Sequence, residues 1–190
     1  MFNAIKKHIA SFVDVPDNDF SAFENSLKLK NIKKGDYFVK EGQVCDFIGF
    51  INSGLFRMFY ILNGKEINLH FFLDNEFVVV YNSFLTNTPS KFYIEALEDA
   101  ELVVFYKNQV EINYQRYHSW ERFGRKIAEH VYLGVEERTH TFLFMNAEER
   151  YLHLMHTKPQ VFQKVQLYHI ASYLGIERES LSRLRKKLTP

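Results

Sequence analysis

Cys45 is the only cysteine in 190 residues, which excludes an intrachain disulfide and any cluster held by several cysteines of one chain. No apolar run approaches the ~20 residues needed to span a bilayer. The N-terminus, MFNAIKKHIASFVDV, lacks a sustained apolar core and a small-residue cleavage site, so no signal peptide is read and a reducing, cytoplasmic setting is expected. Low-complexity segments and solenoid repeats are absent. Net charge is almost absent too: 24 Lys and Arg against 23 Asp and Glu leave +1. That average conceals an asymmetry. Residues 158–190 hold seven basic and two acidic side chains, a net +5, so the preceding 157 residues carry −4. A basic tail on a mildly acidic body is the electrostatic footprint of a segment that meets a polyanion.

Apolar and aromatic residues are plentiful, at 46% hydrophobic with 19 Phe and 11 Tyr. Many lie in alternating runs, such as Phe47-Ile48-Gly49-Phe50-Ile51 and Phe56-Arg57-Met58-Phe59-Tyr60, which predict strands. Between 28 and 110, turn signals recur about every ten residues, as in an antiparallel sandwich or roll, and Asn63-Gly64 is the clearest hairpin. Before this region, Phe2, Ile5, Ile9 and Phe12 share one helical face, and Pro16-Asp17 restarts a second short helix with Phe20, Phe23 and Leu27.

After it, 109–145 contains no proline and predicts one long helix. Ile127, Val131, Val135 and Phe142 form its stripe, led by Trp120 and Phe123. Arg138 interrupts that stripe, so a strict heptad zipper is not expected. Gly134 is expected to permit close approach of another backbone. Such a helix either covers the roll or pairs with its twin. Asn146 followed by Glu149 predicts a capping box opening a helix over 148–155, and a hinge where the chain bends.

The segment from Val165 to Leu188 is the most informative. Leu167, Ile170, Ala171 and Leu174 form one face of a short helix, Gly175 ends it, and a second helix begins near Glu177 with Leu181, Leu184 and Leu188 on its inner side. At about 100° per residue the opposite face centres on Glu179, Ser182, Arg183 and Lys186, with Arg178 at its rim. Ala171, Gly175 and Leu181 together have the spacing of a helix-turn-helix, whose second helix enters the DNA major groove. An αα-hairpin with a solvated basic face is the plainer alternative.

In this order, helices, β-roll, long helix and helix-turn-helix, the chain resembles the catabolite activator/fumarate-nitrate regulator (Crp/Fnr) family. The resemblance rests on Lys34-Gly35-Asp36-Tyr37-Phe38, Lys40-Glu41-Gly42-Gln43, Phe50-Ile51-Asn52-Ser53-Gly54, Asn63-Gly64-Lys65-Glu66 and Ala96-Leu97-Glu98. More specific are Ala147-Glu148-Glu149-Arg150-Tyr151, Ile170 to Ile176 and Arg178-Glu179-Ser180-Leu181-Ser182-Arg183. It implies an α+β chain: a cyclic-nucleotide-binding-like antiparallel β-roll sensor with N-terminal helices over 1–110, a connecting and dimerisation helix over 111–145, and a DNA-binding helix-turn-helix over 146–190. The implied protein is a homodimeric transcriptional regulator, not an enzyme, whose partners are double-stranded DNA, itself and RNA polymerase.

The resemblance assigns base readout to Arg178, Glu179 and Arg183 and a phosphate contact to Ser180. Lys186 and Lys187 are expected at most as sequence-blind phosphate partners. Where cyclic AMP-binding members carry a Gly-Glu and an Arg-Ser pair, this chain has Val79-Val80 and Ser90-Lys91, so cyclic AMP is not expected and any effector is unknown. Cys45 alone cannot hold an iron–sulfur cluster, and a buried structural thiol is expected. The sequence stops at Pro190, so contacts made by a wing beyond the recognition helix are not expected. His153 and His156 lie three apart on a helix and His70 in a strand, but no metal set is completed; His169 is expected at the surface, near phosphate. Two other classes remain as alternatives. A cupin-type enzyme is disfavoured because only His70 lies among the strands, and the other is a protein-interaction module whose tail does not bind DNA.

Overall fold

The computed structural model describes residues 2–188, and the chain divides into two compact units, one of residues 1–58 and 72–131, the other of 59–71 and 132–190. The first opens with helices α1 (Asn3–Ala10) and α2 (Asp17–Glu24). Pro16 stands just before α2, and Asp17 and Asp19 lie in its first turn, where the positive end of the helix dipole favours them. Strands β1 (Lys28–Ile32), β2 (Tyr37–Val39), β3 (Phe47–Ser53), β4 (Phe56–Leu62), β5 (Lys65–Phe72) and β6 (Phe77–Val78) follow. After helix α3 (Tyr81–Thr86) come β7 (Tyr93–Ala96) and β8 (Ala100–Tyr106), then helices α4 (Lys107–Arg116) and α5 (His118–Phe144).

The strands form two four-stranded sheets, ordered β1-β8-β3-β6 and β2-β7-β4-β5. Alternation along β3 explains why both of its faces are apolar. Ile51 enters the core between the sheets with Phe38, Phe56, Ile94 and Leu102. Its neighbour Phe50 points the other way, into a second core with Ile5, Ile9, Phe20, Phe23, Val103, Phe105, Trp120 and Phe123. Each such side chain, fully buried, contributes about 1.5–3 kcal/mol. At the open edge, β1 exposes Lys28 and Lys30, charges that discourage pairing with another chain. The β4–β5 hairpin turns at Asn63 (φ 50°) and Gly64 (φ 76°), the two left-handed residues of a type I′ turn, as Asn-Gly predicts.

The helical stretch predicted as one is two. It breaks at Tyr117 (φ −136°, ψ 115°), whose side chain packs against the second core beside Trp120. No proline or glycine marks the break, so periodicity alone runs through it. Helix α3 is likewise unannounced by local pattern; Asn87, at φ 58°, closes it.

In the second unit, α6 (Ala147–Thr157), α7 (Pro159–Lys164), α8 (Leu167–Leu174) and α9 (Arg178–Leu188) follow the end of α5. The expected capping box is present: the Asn146 side chain accepts from the Glu148 and Glu149 N–H groups at 3.0 and 3.1 Å, and the Glu149 carboxylate accepts from the Asn146 N–H at 2.7 Å. Short α7, with Pro159 in its first turn, has no counterpart in the periodicity reading.

Candidate nucleic-acid interface

Ile170, Ala171 and Leu174 of α8 and Leu181 of α9 are all buried, and the two helices meet across the turn at Gly175. Ala171 is the small residue on the buried side of α8. Burying this side of α9 leaves Arg178, Glu179, Ser182, Arg183, Arg185 and Lys186 exposed, with Ser180 half-buried. The Arg183 guanidinium donates through Nη2 to Ser180 Oγ at 3.1 Å, one turn back. The expected contact residues Arg178, Glu179, Ser180, Arg183 and Lys186 thus share one helix within about three turns. Lys187 is turned aside: its Nζ lies 2.7 Å from Glu148 Oε2 on α6. An exposed arginine fork with a nearby carboxylate is suited to guanine O6/N7 and to a cytosine amino group respectively.

The expectation for His169 is overturned. Only 4% of it is exposed, and its Nδ1 lies 3.4 Å from Asn68 Nδ2 of β5. The cause is the β4–β5 hairpin, which lies against α8. Ser172 accepts the Asn68 N–H at 3.0 Å and donates to the Glu66 carbonyl at 2.7 Å, so its hydroxyl acts as partner to the outer edge of β5. Lys158 donates to the Phe71 carbonyl at 2.9 Å, and the Phe71 and Tyr173 rings lie 5.2 Å apart. A helical wheel of α8 by itself has no information about this neighbour. Tyr168, 48% exposed, takes the outward position instead.

Burial, with the charges of Lys158 and Arg138 nearby, holds the His70 pKa down to about 3. Its folded pKa lies below its unfolded value, so the unfolded chain binds more protons, and the stabilisation is complete above about pH 6.5 and lost as pH falls toward 3. Denaturant midpoints are therefore expected to fall over that interval, and His70→Gln to flatten the decline.

His153 places Nε2 3.3 Å from Glu137 of α5, and among the described residues no three His, Cys, Asp or Glu side chains come together as a metal site. Cys45 is fully buried, its Sγ 3.3 Å from the Phe47 carbonyl, and burial raises its pKa. In the roll, Val80 belongs to the core between the sheets, and Ser90 is 3% exposed, its hydroxyl donating to the Phe92 carbonyl at 2.8 Å. Arg57, 4% exposed, donates through Nε to Glu95 at 2.7 Å.

Residues 29–117 match the cyclic nucleotide-binding domain family. With two antiparallel sheets followed by α5 and a helix-turn-helix, the architecture is decided. The chain has the fold of the Crp/Fnr structures. FixK2 from Bradyrhizobium japonicum superposes with a TM-score of 0.73 at 15% identity, covering 85% of this chain and 84% of its own. A Crp/Fnr-family regulator from Eubacterium rectale gives 0.71 at 16% identity over 92% and 83%. The c-di-GMP-responsive global regulator CLP of Xanthomonas campestris gives 0.68 at 16% identity over 91% of both chains. The last two of these neighbours are described as regulators. No curated protein matches the chain in sequence. No helix among the described residues is long and apolar enough to cross a membrane.

Proposed function

We propose that this protein is a homodimeric, sequence-specific DNA-binding transcriptional regulator that reads a two-fold symmetric operator. The observation that carries the reading is α9: Leu181 is buried, Leu184 and Leu188 are half-buried, and the arginine face is open, in a chain with a Crp/Fnr fold. Arg178, Glu179 and Arg183 read base edges, while Ser180 and Lys186 meet phosphate. RNA polymerase is a further partner on this reading.

Dimerisation is supported by the second half of α5. Tyr132, Val135 and Leu143 are 69%, 61% and 70% exposed, and with Ala128 and Thr139 they recur at spacings of three and four residues along one side of the helix. Arg138 flanks this seam without joining it, its guanidinium stacked on the Tyr173 ring. Two such seams side by side make a short parallel coiled coil. Gly134, with open space beyond its Cα, leaves room beside the seam.

The roll takes an effector other than cyclic AMP, or none. Val79-Val80 and Ser90-Lys91 offer neither a carboxylate for the ribose nor an arginine for the phosphate, and Val80 and Ser90 are already committed to the interior. An effector acts only through different affinity for two states of the dimer.

Selection of bound sites from random DNA with the purified protein tests the proposal. A palindromic motif with half-sites about 10 base pairs apart is the expected result; recovery of unenriched DNA would leave the protein-interaction alternative standing. With the operator in hand, Arg183→Ala should weaken specific binding by about 1–3 kcal/mol and relax selection at one base pair. Equal loss on random DNA in a salt-titrated mobility shift would count against base readout.

A further inference from the structure

The last four carbonyls of α8 lie beyond the reach of its own N–H groups. Gly175, at φ 67°, closes the helix, and the turn backbone satisfies two of them: the Ile176 N–H donates to the Ala171 carbonyl at 3.0 Å and the Gly175 N–H to the Ser172 carbonyl at 3.2 Å. Arginines from two other helices take the remaining pair. Arg138 of α5 donates through Nη2 to the Tyr173 carbonyl, and Arg150 of α6 donates through Nε to the Leu174 carbonyl at 3.0 Å. Arg150 also donates through Nη1 to the Met145 carbonyl at 2.6 Å, tying down the α5–α6 connection. Two cations thus stand at the negative pole of α8.

The guanidinium carbon of Arg138 lies 3.6 Å from the centroid of the Tyr173 ring and 4.2 Å from that of Phe142. Phe142 in turn backs the glycine, its Cε1 only 3.0 Å from where a Cβ at Gly175 would sit. The turn between α8 and α9 is therefore gripped by groups that belong to α5, on a side of that helix flanking its exposed seam. A planar guanidinium stacks and donates at once; an ammonium does only the second.

We propose that Arg138 is a positioning residue that fixes the recognition helix to α5, so that the geometry of the paired α5 helices sets the half-site spacing the dimer accepts. Resting on the DNA-binding reading above, this assigns to Arg138 a role in regulation without contact to DNA. A rotation or slide of α5 reaches the turn through Arg138 and Phe142, while Arg150 keeps the bend at Asn146 from absorbing it.

The test uses the full-length protein, Arg138→Met and Arg138→Lys, with the selected operator, operators whose half-sites are moved by one base pair, and random DNA at one salt concentration. Arg138→Met is expected to lose at least about tenfold on the selected operator, within the range of a lost base-pair match, while random DNA binding stays within about twofold. Its penalty for the shifted operators should shrink, and Arg138→Lys should fall between. Without DNA, hydrogen exchange at Gly175, Ile176 and the first turn of α9 should quicken by about tenfold in Arg138→Met while α6 is unchanged. Unaltered spacing preference together with unaltered exchange overturns the proposal. So does a parallel loss on all DNAs with lowered helix content in both variants, which would make Arg138 a contributor to stability alone. If the wild-type protein selects no DNA, the functional reading fails by itself, and the exchange arm still decides whether Arg138 holds the turn.

Discussion

Val135→Asp should convert the protein to a monomer and lower its affinity for a two-half-site operator by about 10²–10⁴-fold, the contribution of linking two binding modules in one particle. Val135 sits in the exposed seam of α5 with Tyr132 and Leu143, and in a symmetric pair its side chain approaches its own twin. Two carboxylates facing each other in a desolvated seam are strongly unfavourable. Within one chain the substitution is on the solvent side, so the fold and single half-site binding should survive. Sedimentation and mobility shifts on one and two half-sites check both points; a Val135→Asp protein that stays dimeric would remove α5 as the interface.

Leu181→Ala should destabilise the helix-turn-helix by about 2–5 kcal/mol, as expected for deleting a fully buried leucine side chain. Leu181 has no exposed surface, and its helix α9 packs against α8, where Ala171 and Leu174 are buried as well. Loss of this anchor releases the arginine face from its support, so DNA affinity should fall although no contacting residue is altered. Denaturant unfolding followed by circular dichroism gives the stability change, with exposed Arg183→Ala as a comparison expected within about 0.5 kcal/mol of wild type. Near-equal stabilities would mean that the two helices are held together by something other than this leucine.

What was readable in the sequence is what neighbouring residues decide among themselves. Asn63-Gly64 makes its turn because those two residues tolerate positive φ, Asn146 and Glu149 close a capping box over three residues, and Gly175 stops α8 by local conformation. The alternation of β3 and the leucine spacing of α9 work at the same short range. The expected contact residues Arg178, Glu179, Ser180, Arg183 and Lys186 follow from the leucines opposite them and from resemblance.

Other features were invisible for a common reason. In α5, Ile127, Val131 and Arg138 lie within about 40° of one another, and Tyr132, Val135 and Leu143 form a second apolar line. Both lines have helical spacing, so periodicity selects neither as the outer one. The break at Tyr117 carries no helix-breaking residue; it follows from a ring joining the core beside Trp120. His169 looked exposed because the hairpin that covers it comes from a hundred residues earlier in the chain.

By itself the sequence determined the order of β-roll, helices and helix-turn-helix, the turns and caps, and which helix presents an arginine face, since each follows from side-chain periodicity or backbone preference over a few residues. Only the tertiary structure decided that β5 and Ser172 hold α8, that Arg138 and Arg150 grip its last carbonyls, and that Tyr132, Val135 and Leu143 are left outward. Those outcomes depend on which distant groups satisfy a hydrogen bond or cover an apolar surface, and linear spacing does not encode that choice.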